Sequence, residues 1–257
     1  MANKKIKERN FLYSTGRVRS LERELLTGEK LYRMIDAKTD DDALKVLYEC
    51  GYQDIITDSG GNIDEIISRM RLKLFKDDVS ILKDERIINI FKLKYDVHNI
   101  KSYIKGGEYG LNIMIDSGTI DKKSLSLAIG EGDYSYLPEF WSESKYLKPA
   151  IESAKDILAK TGDPQLADFE IDKAMYSEML LLAIDTGSAY LIDFVKLSID
   201  AANIRTYVRA RLMGKGYEIL RLALIEGGNI NHKKLMQDMT GETLIENAPT
   251  LKLKAAA

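Results

Sequence analysis

The sequence predicts an all-α protein built from repeated helical domains, and three observations carry that expectation. Apolar residues recur at helical spacing along the 257 residues, and the strict apolar–polar alternation of strands is absent. Only four prolines interrupt the chain, so long stretches are free to be helical. Most telling, one stretch occurs twice. Lys94-Tyr-Asp-Val-His-Asn-Ile-Lys-Ser-Tyr-Ile-Lys105 returns as Ser198-Ile-Asp-Ala-Ala-Asn-Ile-Arg-Thr-Tyr-Val-Arg209, an offset of 104. Asp96 falls on Asp200, Asn99 on Asn203, Ile100 on Ile204 and Tyr103 on Tyr207. Charge and hydroxyl chemistry persist where identity does not: Lys101 falls on Arg205, Lys105 on Arg209 and Ser102 on Thr206. A second pair of blocks, Ile115 to Leu125 and Ile225 to Leu235, matches at an offset of 110 in the same order. Two ordered matches with a small slip identify a duplicated structural unit.

Composition narrows the class. Hydrophobic residues are 45% and charged residues 30%, as in soluble globular proteins. A net charge of -2 gives no general attraction to nucleic acid phosphates. One cysteine, Cys50, excludes an intramolecular disulfide and reads as a packed thiol beside a helix-ending Gly51. Residues 1 to 10 contain no apolar signal core, and the apolar stretch Met179 to Ile184 stops at Asp185. Membrane association is therefore expected to be peripheral, through a partner.

Taken in order, Asn10 to Thr27 reads as a helix with Leu12, Val18, Leu21, Leu25 and Leu26 on one broad face. Glu29 to Ile35 is a second short helix, and Thr39-Asp-Asp-Asp42 opens a third with acids at its dipole's positive end. Asp58-Ser-Gly-Gly-Asn62 is a turn before a helix over 63–76. Val79 to Tyr103 is one long helix, or two joined at Lys83-Asp84. Ile90, Leu93, Val97, Ile100 and Ile104 step by threes and fours, the seam of a packed helix, and Phe194, Leu197, Ala201, Ile204 and Val208 repeat it. Gly106-Gly107 and Gly214-Lys-Gly216 end the two copies. Between them, Glu131 to Pro138 is a loop, Ala150 to Lys160 a helix, and Thr161-Gly-Asp-Pro164 a break before a helix from Ala167 or Asp168.

Chemistry is sparse. Asp96, Asn99 and Tyr103 stack on one helical face, as do Asp200, Asn203 and Tyr207. A carboxylate, amide and phenol in line have acid–base potential, but a copied polar stripe more often satisfies groups where helices cross. The only histidines, His98 and His232, have no His or Cys nearby, and His98 falls on Ala202. No nucleophile elbow, dinucleotide fingerprint or EF-hand loop is present. The expectation is no catalytic residue, no cofactor and no metal. Arg17 and Arg19 on the first helix, and Arg209 and Arg211 in the second copy, are candidate partner contacts.

Residues at both ends and the centre then resemble a known family. Tyr13-Ser-Thr-Gly-Arg-Val-Arg19, Leu25-Leu26, Gly51-Tyr52, Tyr95-Asp-Val-His-Asn-Ile-Lys101, Asp200 to Ala210 and Ile225-Glu-Gly-Gly-Asn-Ile230 are similar to the C subunit of V-type and archaeal-type ATP synthases, a relative of the d subunit of the vacuolar ATPase. The resemblance covers about residues 10 to 240. It implies a funnel of three similar helical domains about a pseudo-threefold axis, seated on the cytoplasmic mouth of the membrane rotor ring. It also implies a non-catalytic socket for the central stalk in ATP-linked H⁺ or Na⁺ transport. The implied partners are the central-stalk subunits and the rotor ring, with no nucleic acid and only indirect membrane contact.

These readings give expected domains at 1–116 and 117–226, and the start of a truncated third at 227–257, which lacks its own Asn-Ile-Arg signature. Asp96, Asn99, Lys101, Tyr103, Asp200, Asn203, Arg205 and Tyr207 are expected to be a structural signature. A soluble helical-repeat adaptor is the alternative, although a period of about 104 far exceeds the 33 to 47 residues of common solenoids.

Overall fold

The computed structural model describes residues 5–59, 62–214 and 217–237. Among these no strand occurs. The chain divides into two compact units. One comprises Ile6–Asn89 with Ile115–Ser117; the other contains Ile90–Met114 and the chain from Gly118 onward.

In the first unit, α1 (Leu12–Leu21) is flanked by 3-10 turns at Glu8–Phe11 and Glu22–Glu24. The continuous apolar face expected from Asn10 to Thr27 does not form: Leu12, Val18, Leu25 and Leu26 are exposed. Leu12 and Val18 are six positions apart, about 120° around a helix and too far for one narrow stripe, and α1 ends at Leu21, before Leu25 and Leu26. The buried residue is Ser14, whose hydroxyl donates to the Ile81 carbonyl at 2.6 Å. The helices α2 (Gly28–Ile35) and α3 (Asp40–Glu49) begin at threonines whose Oγ1 accepts a backbone N–H, from Lys30 and Asp42 respectively. α4 (Gln53–Asp58) and α5 (Ile63–Ile81) follow. Leu47, Ile56 and Ile66 form the core, with Met34, Leu44 and Tyr52 against it. Cys50 is buried, with the Lys30 ammonium 3.3 Å from its sulfur.

The sequence left one or two helices open for Val79 to Tyr103. The chain does break there, but the expected helix end at 76 is not found: α5 runs unbroken from Ile63 to Ile81, taking in Val79, and α6 spans Glu85–Gly106. The Asp84 carboxylate occupies the junction and accepts from the Arg86 backbone N–H at 3.2 Å and its Nε at 2.9 Å.

The second unit adds, after α6, a 3-10 segment Gly107–Ile113, α7 (Lys122–Gly130), a 3-10 turn Tyr134–Tyr136 and α8 (Glu139–Ser142). Then come α9 (Leu147–Thr161), α10 (Pro164–Thr186), α11 (Ala189–Leu212), α12 (Tyr217–Ala223) and α13 (His232–Gln237). α10 starts at Pro164, three residues before the expected Ala167, since proline is tolerated in a first helical turn. Gly162, with φ 65°, reverses the chain there, and the Asp163 carboxylate accepts from the Gln165 N–H at 2.8 Å. α9 packs closely on α10, and Ala150, Ala154, Ala167 and Ala174 are all buried, small enough for the axes to approach.

The duplication is visible element by element. At an offset of 104, α5 falls on α10 and α6 on α11; at 110, the 3-10 segment falls on α12 and α7 on α13. The compact units divide between Asn89 and Ile90, inside α6, whereas the sequence repeat suggested 116. Of the expected third domain, residues 238–257 lie outside the described residues.

Candidate interaction face and the duplicated helix clamp

Asp96 is fully buried on α6, yet both carboxylate oxygens are occupied. Oδ1 accepts from the backbone N–H groups of Thr119 (2.6 Å) and Ile120 (3.0 Å). Oδ2 accepts from the Thr119 hydroxyl (2.7 Å) and the Trp141 indole N–H (3.1 Å). Burial pushes this carboxyl above its usual range, while the hydrogen bonds from Thr119, Trp141 and Ile120 pull it down. The backbone comes so close that a Cβ on Gly118 would lie 2.2 Å from Asp96 Oδ1, so glycine is required there.

The second copy builds the same clamp at the corresponding residues. Asp200 Oδ1 accepts from the Asn229 and Ile230 N–H groups at 2.8 and 3.0 Å, and Oδ2 from Asn229 Nδ2 at 3.1 Å. A Cβ on Gly228 would lie 2.3 Å from Asp200 Oδ1. Asn203 exchanges two bonds with Ile225: its Nδ2 donates to the carbonyl at 2.8 Å and its Oδ1 accepts the N–H at 2.9 Å. His232 Nε2 reaches the same carbonyl at 2.9 Å. Tyr207 is buried with Leu220, Leu224 and Leu235; Tyr103 donates to Glu108 at 3.2 Å. Asn99 is fully buried.

The signature residues thus meet a loop. Helix crossings were the expected destination; the observed partners of both aspartates are backbone amides of the second repeated block, just before α7 and α13. A carboxylate offers enough acceptor sites to gather successive N–H groups of a turn, which an apolar side chain cannot do. Thr119, Asn229, Gly118, Gly228 and Trp141 were not singled out from sequence. The glycines and their Thr/Asn-Ile neighbours had a signal, the repeated Gly-Thr-Ile and Gly-Asn-Ile; Trp141 is the chain's only tryptophan and had none.

The two seams fare differently. On α6, Ile90, Leu93, Val97 and Ile100 are buried. On α11, Leu197 and Val208 are 41% and 44% exposed, and Ala201 is exposed too. The expected packed seam of the second copy is therefore open, because α11 buries its opposite side, through Val195, Ile199, Asn203 and Ala210. The cations differ in step. Lys101 pairs with Asp172 at 2.5 Å and Lys105 with Asp168 at 3.1 Å, both acids on α10. Arg205 and Arg209 are exposed and form no salt bridge among the described residues. Arg211 is exposed on α11; on α1 Arg17 is exposed and Arg19 pairs with Glu22 at 2.9 Å. Among the described residues no group of three His, Cys, Asp or Glu side chains is arranged to hold a metal, and no helix is long and apolar enough to cross a membrane.

The pattern that defines the ATP synthase (C/AC39) subunit family matches residues 14–251, nearly the whole chain and both clamps. The chain belongs to this family. Among its relatives, the C subunit of the A-type ATP synthase of Pyrococcus horikoshii is 26% identical over 247 residues, covering 91% of this chain and 65% of the relative. That of Thermococcus kodakarensis is 24% identical over 238 residues, covering 88% and 64%. The C subunit of the V-type sodium ATPase of Enterococcus hirae is 24% identical over 229 residues, covering 88% and 68%. The chain thus spans a little under two thirds of the length of these archaeal relatives.

Proposed function

We propose that this chain is a non-catalytic central-stalk subunit of a rotary A/V-type ATPase. It forms part of the socket that joins the stalk to the membrane rotor ring and passes torque for ATP-linked H⁺ or Na⁺ transport. It works at the cytoplasmic face as a peripheral protein, touching the membrane only through the ring, and needs no cofactor. The observation that carries this reading is the family match over residues 14–251. The clamps suit the role: each fixes a loop to a helix by a buried carboxylate, giving rigid units that transmit force without reactive groups. Asp96, Asn99, Lys101, Tyr103 and their copies are in this reading structural, and Arg17, Arg19, Arg209 and Arg211 are partner contacts. The test is reconstitution. Purified chain mixed with the stalk and rotor-ring subunits of the same organism should co-elute with them, with no ATPase activity of its own. Failure to co-elute with either would overturn the proposal.

A further inference from the structure

The second clamp holds a titratable ring at a position where the first has none. At the offset of 110 that relates the two loops, His232 falls on Lys122 and Glu226 on Asp116. His232 opens α13 and is mostly buried, with 15% of its side chain exposed. Lys122 and Asp116 are exposed and form no salt bridge among the described residues.

The surroundings of the ring fix which nitrogen carries its proton. Nε2 lies 2.9 Å from the Ile225 carbonyl oxygen, which can only accept, so Nε2 bears a hydrogen. Asn203 Nδ2 donates to the same oxygen at 2.8 Å, and its 3.3 Å approach to Nε2 sets two donors side by side. Nδ1 is thereby left as the acceptor of a neutral ring. Its neighbour, at 3.2 Å, is Oε1 of Glu226, a carboxylate that also only accepts. Two acceptors face each other unless Nδ1 is protonated, and the contact then becomes a charge-assisted hydrogen bond. Glu226 has 91% of its side chain exposed, so it can swing away from a neutral ring. The other charged groups around the ring do not take its place. Arg221 of α12 and Lys233 of α13 line the same groove, Arg221 pairing with Glu218 at 3.3 Å. Asp200 on α11 has its oxygens engaged by Asn229 and Ile230.

We propose that His232 makes the second clamp acid-responsive. Protonation at Nδ1 draws Glu226 onto the ring and ties the loop over 225–231 more firmly to α11 and to the start of α13. Loss of that proton as pH rises releases Glu226 and leaves the Nε2 bond in place. The added hold is present while the ring is protonated and Glu226 is ionised, and it is lost as pH rises through the titration of the imidazole. The first clamp, with a lysine at this position, lacks the device. The inference stands on the clamp geometry and does not need the rotary role, so the two fail separately.

Two measurements on the full chain test it. Imidazole nitrogen NMR at about pH 8 should show His232 as the Nε2–H tautomer, with His98→Ala assigning the only other ring. Hydrogen exchange at the Asn229 and Ile230 amides, corrected for the pH dependence of the intrinsic rate, should show about threefold greater protection at about pH 5.5 than at about pH 8, the scale of one exposed ion pair. That gain should vanish in Glu226→Gln, which cannot pair with the ring. It should vanish equally in His232→Gln, whose amide can still donate to the Ile225 carbonyl but does not titrate. Lys122→Gln should leave it unchanged. An Nδ1–H tautomer, equal protection at the two pH values in the parent, a gain that survives either clamp variant, or one lost with Lys122→Gln overturns the proposal.

Discussion

α6 and α11 descend from one pattern and share one internal clamp, yet they differ on their outer sides. Leu93 is fully buried where Leu197 is 41% exposed, and Lys101 is salt-bridged where Arg205, among the described residues, is not. The common part, Asp-x-x-Asn on the helix and Gly-x-Ile in the loop, fixes each helix to the loop that follows it. The divergent part is the outer side, closed on α6 and open on α11. The two copies thus keep one clamp and differ in what covers the helix that carries it.

The largest expected effect comes from placing a charge in each seam. Leu93→Asp should cost about 4 kcal/mol or prevent folding, whereas Leu197→Asp should cost under about 1 kcal/mol, both by denaturant titration. Equal losses would erase the distinction between the two sides. Next come the clamps. Asp96→Ala strands four donors, two backbone amides, a hydroxyl and an indole, and should cost about 3 kcal/mol; Asp200→Ala strands three and should cost about 2 kcal/mol. A clamp whose loss is thermally silent would not be structural.

Smaller effects separate the cations. Lys101→Ala removes a partly buried pair and should lower stability by about 1 kcal/mol, while Arg205→Ala should stay within about 0.5 kcal/mol. The smallest contrast is between helix caps. Asp121 accepts the Ser124 N–H at the start of α7, and its counterpart Asn231 accepts the Lys233 N–H at α13. Hydrogen bonds from the Ser124 hydroxyl and N–H hold the Asp121 carboxyl below its usual range. A depressed folded pKa gives stability that is present above the unfolded value, near 3.9, and is lost as pH falls through the folded one. Asp121→Ala should therefore cost about 1 kcal/mol at neutral pH, shrinking in acid, while the cost of Asn231→Ala stays flat with pH.

Much of this was legible in the sequence. The helical class, the duplicated unit and the buried Cys50 follow from spacing and identity, whereas the break at Lys83-Asp84 was left open beside a single long helix. The family resemblance followed from the order of short motifs, and the match to 14–251 agrees with it. The polar stripe was visible but the partners of its aspartates and of Asn203 were not, because hydrogen bonds between residues 22 to 45 positions apart leave no local periodicity. The open α11 seam was equally hidden. Phe194, Leu197 and Ala201 have the pattern of a buried seam, and pattern records what a helix is suited to meet, whichever residues cover it. The apolar face assigned to α1 failed for a plainer reason, since Leu12 and Val18 point to different sides.

The most direct test of the central claim, that α6 is closed on the side where α11 is open, is native-state thiol labelling of Leu93→Cys and Leu197→Cys. Cys50, 1% exposed, serves as the silent background in both. The cysteine at 197 should react at nearly the rate of a free thiol, and the one at 93 at least about a hundredfold more slowly, only as the chain opens. Equal protection of the two positions would contradict the account.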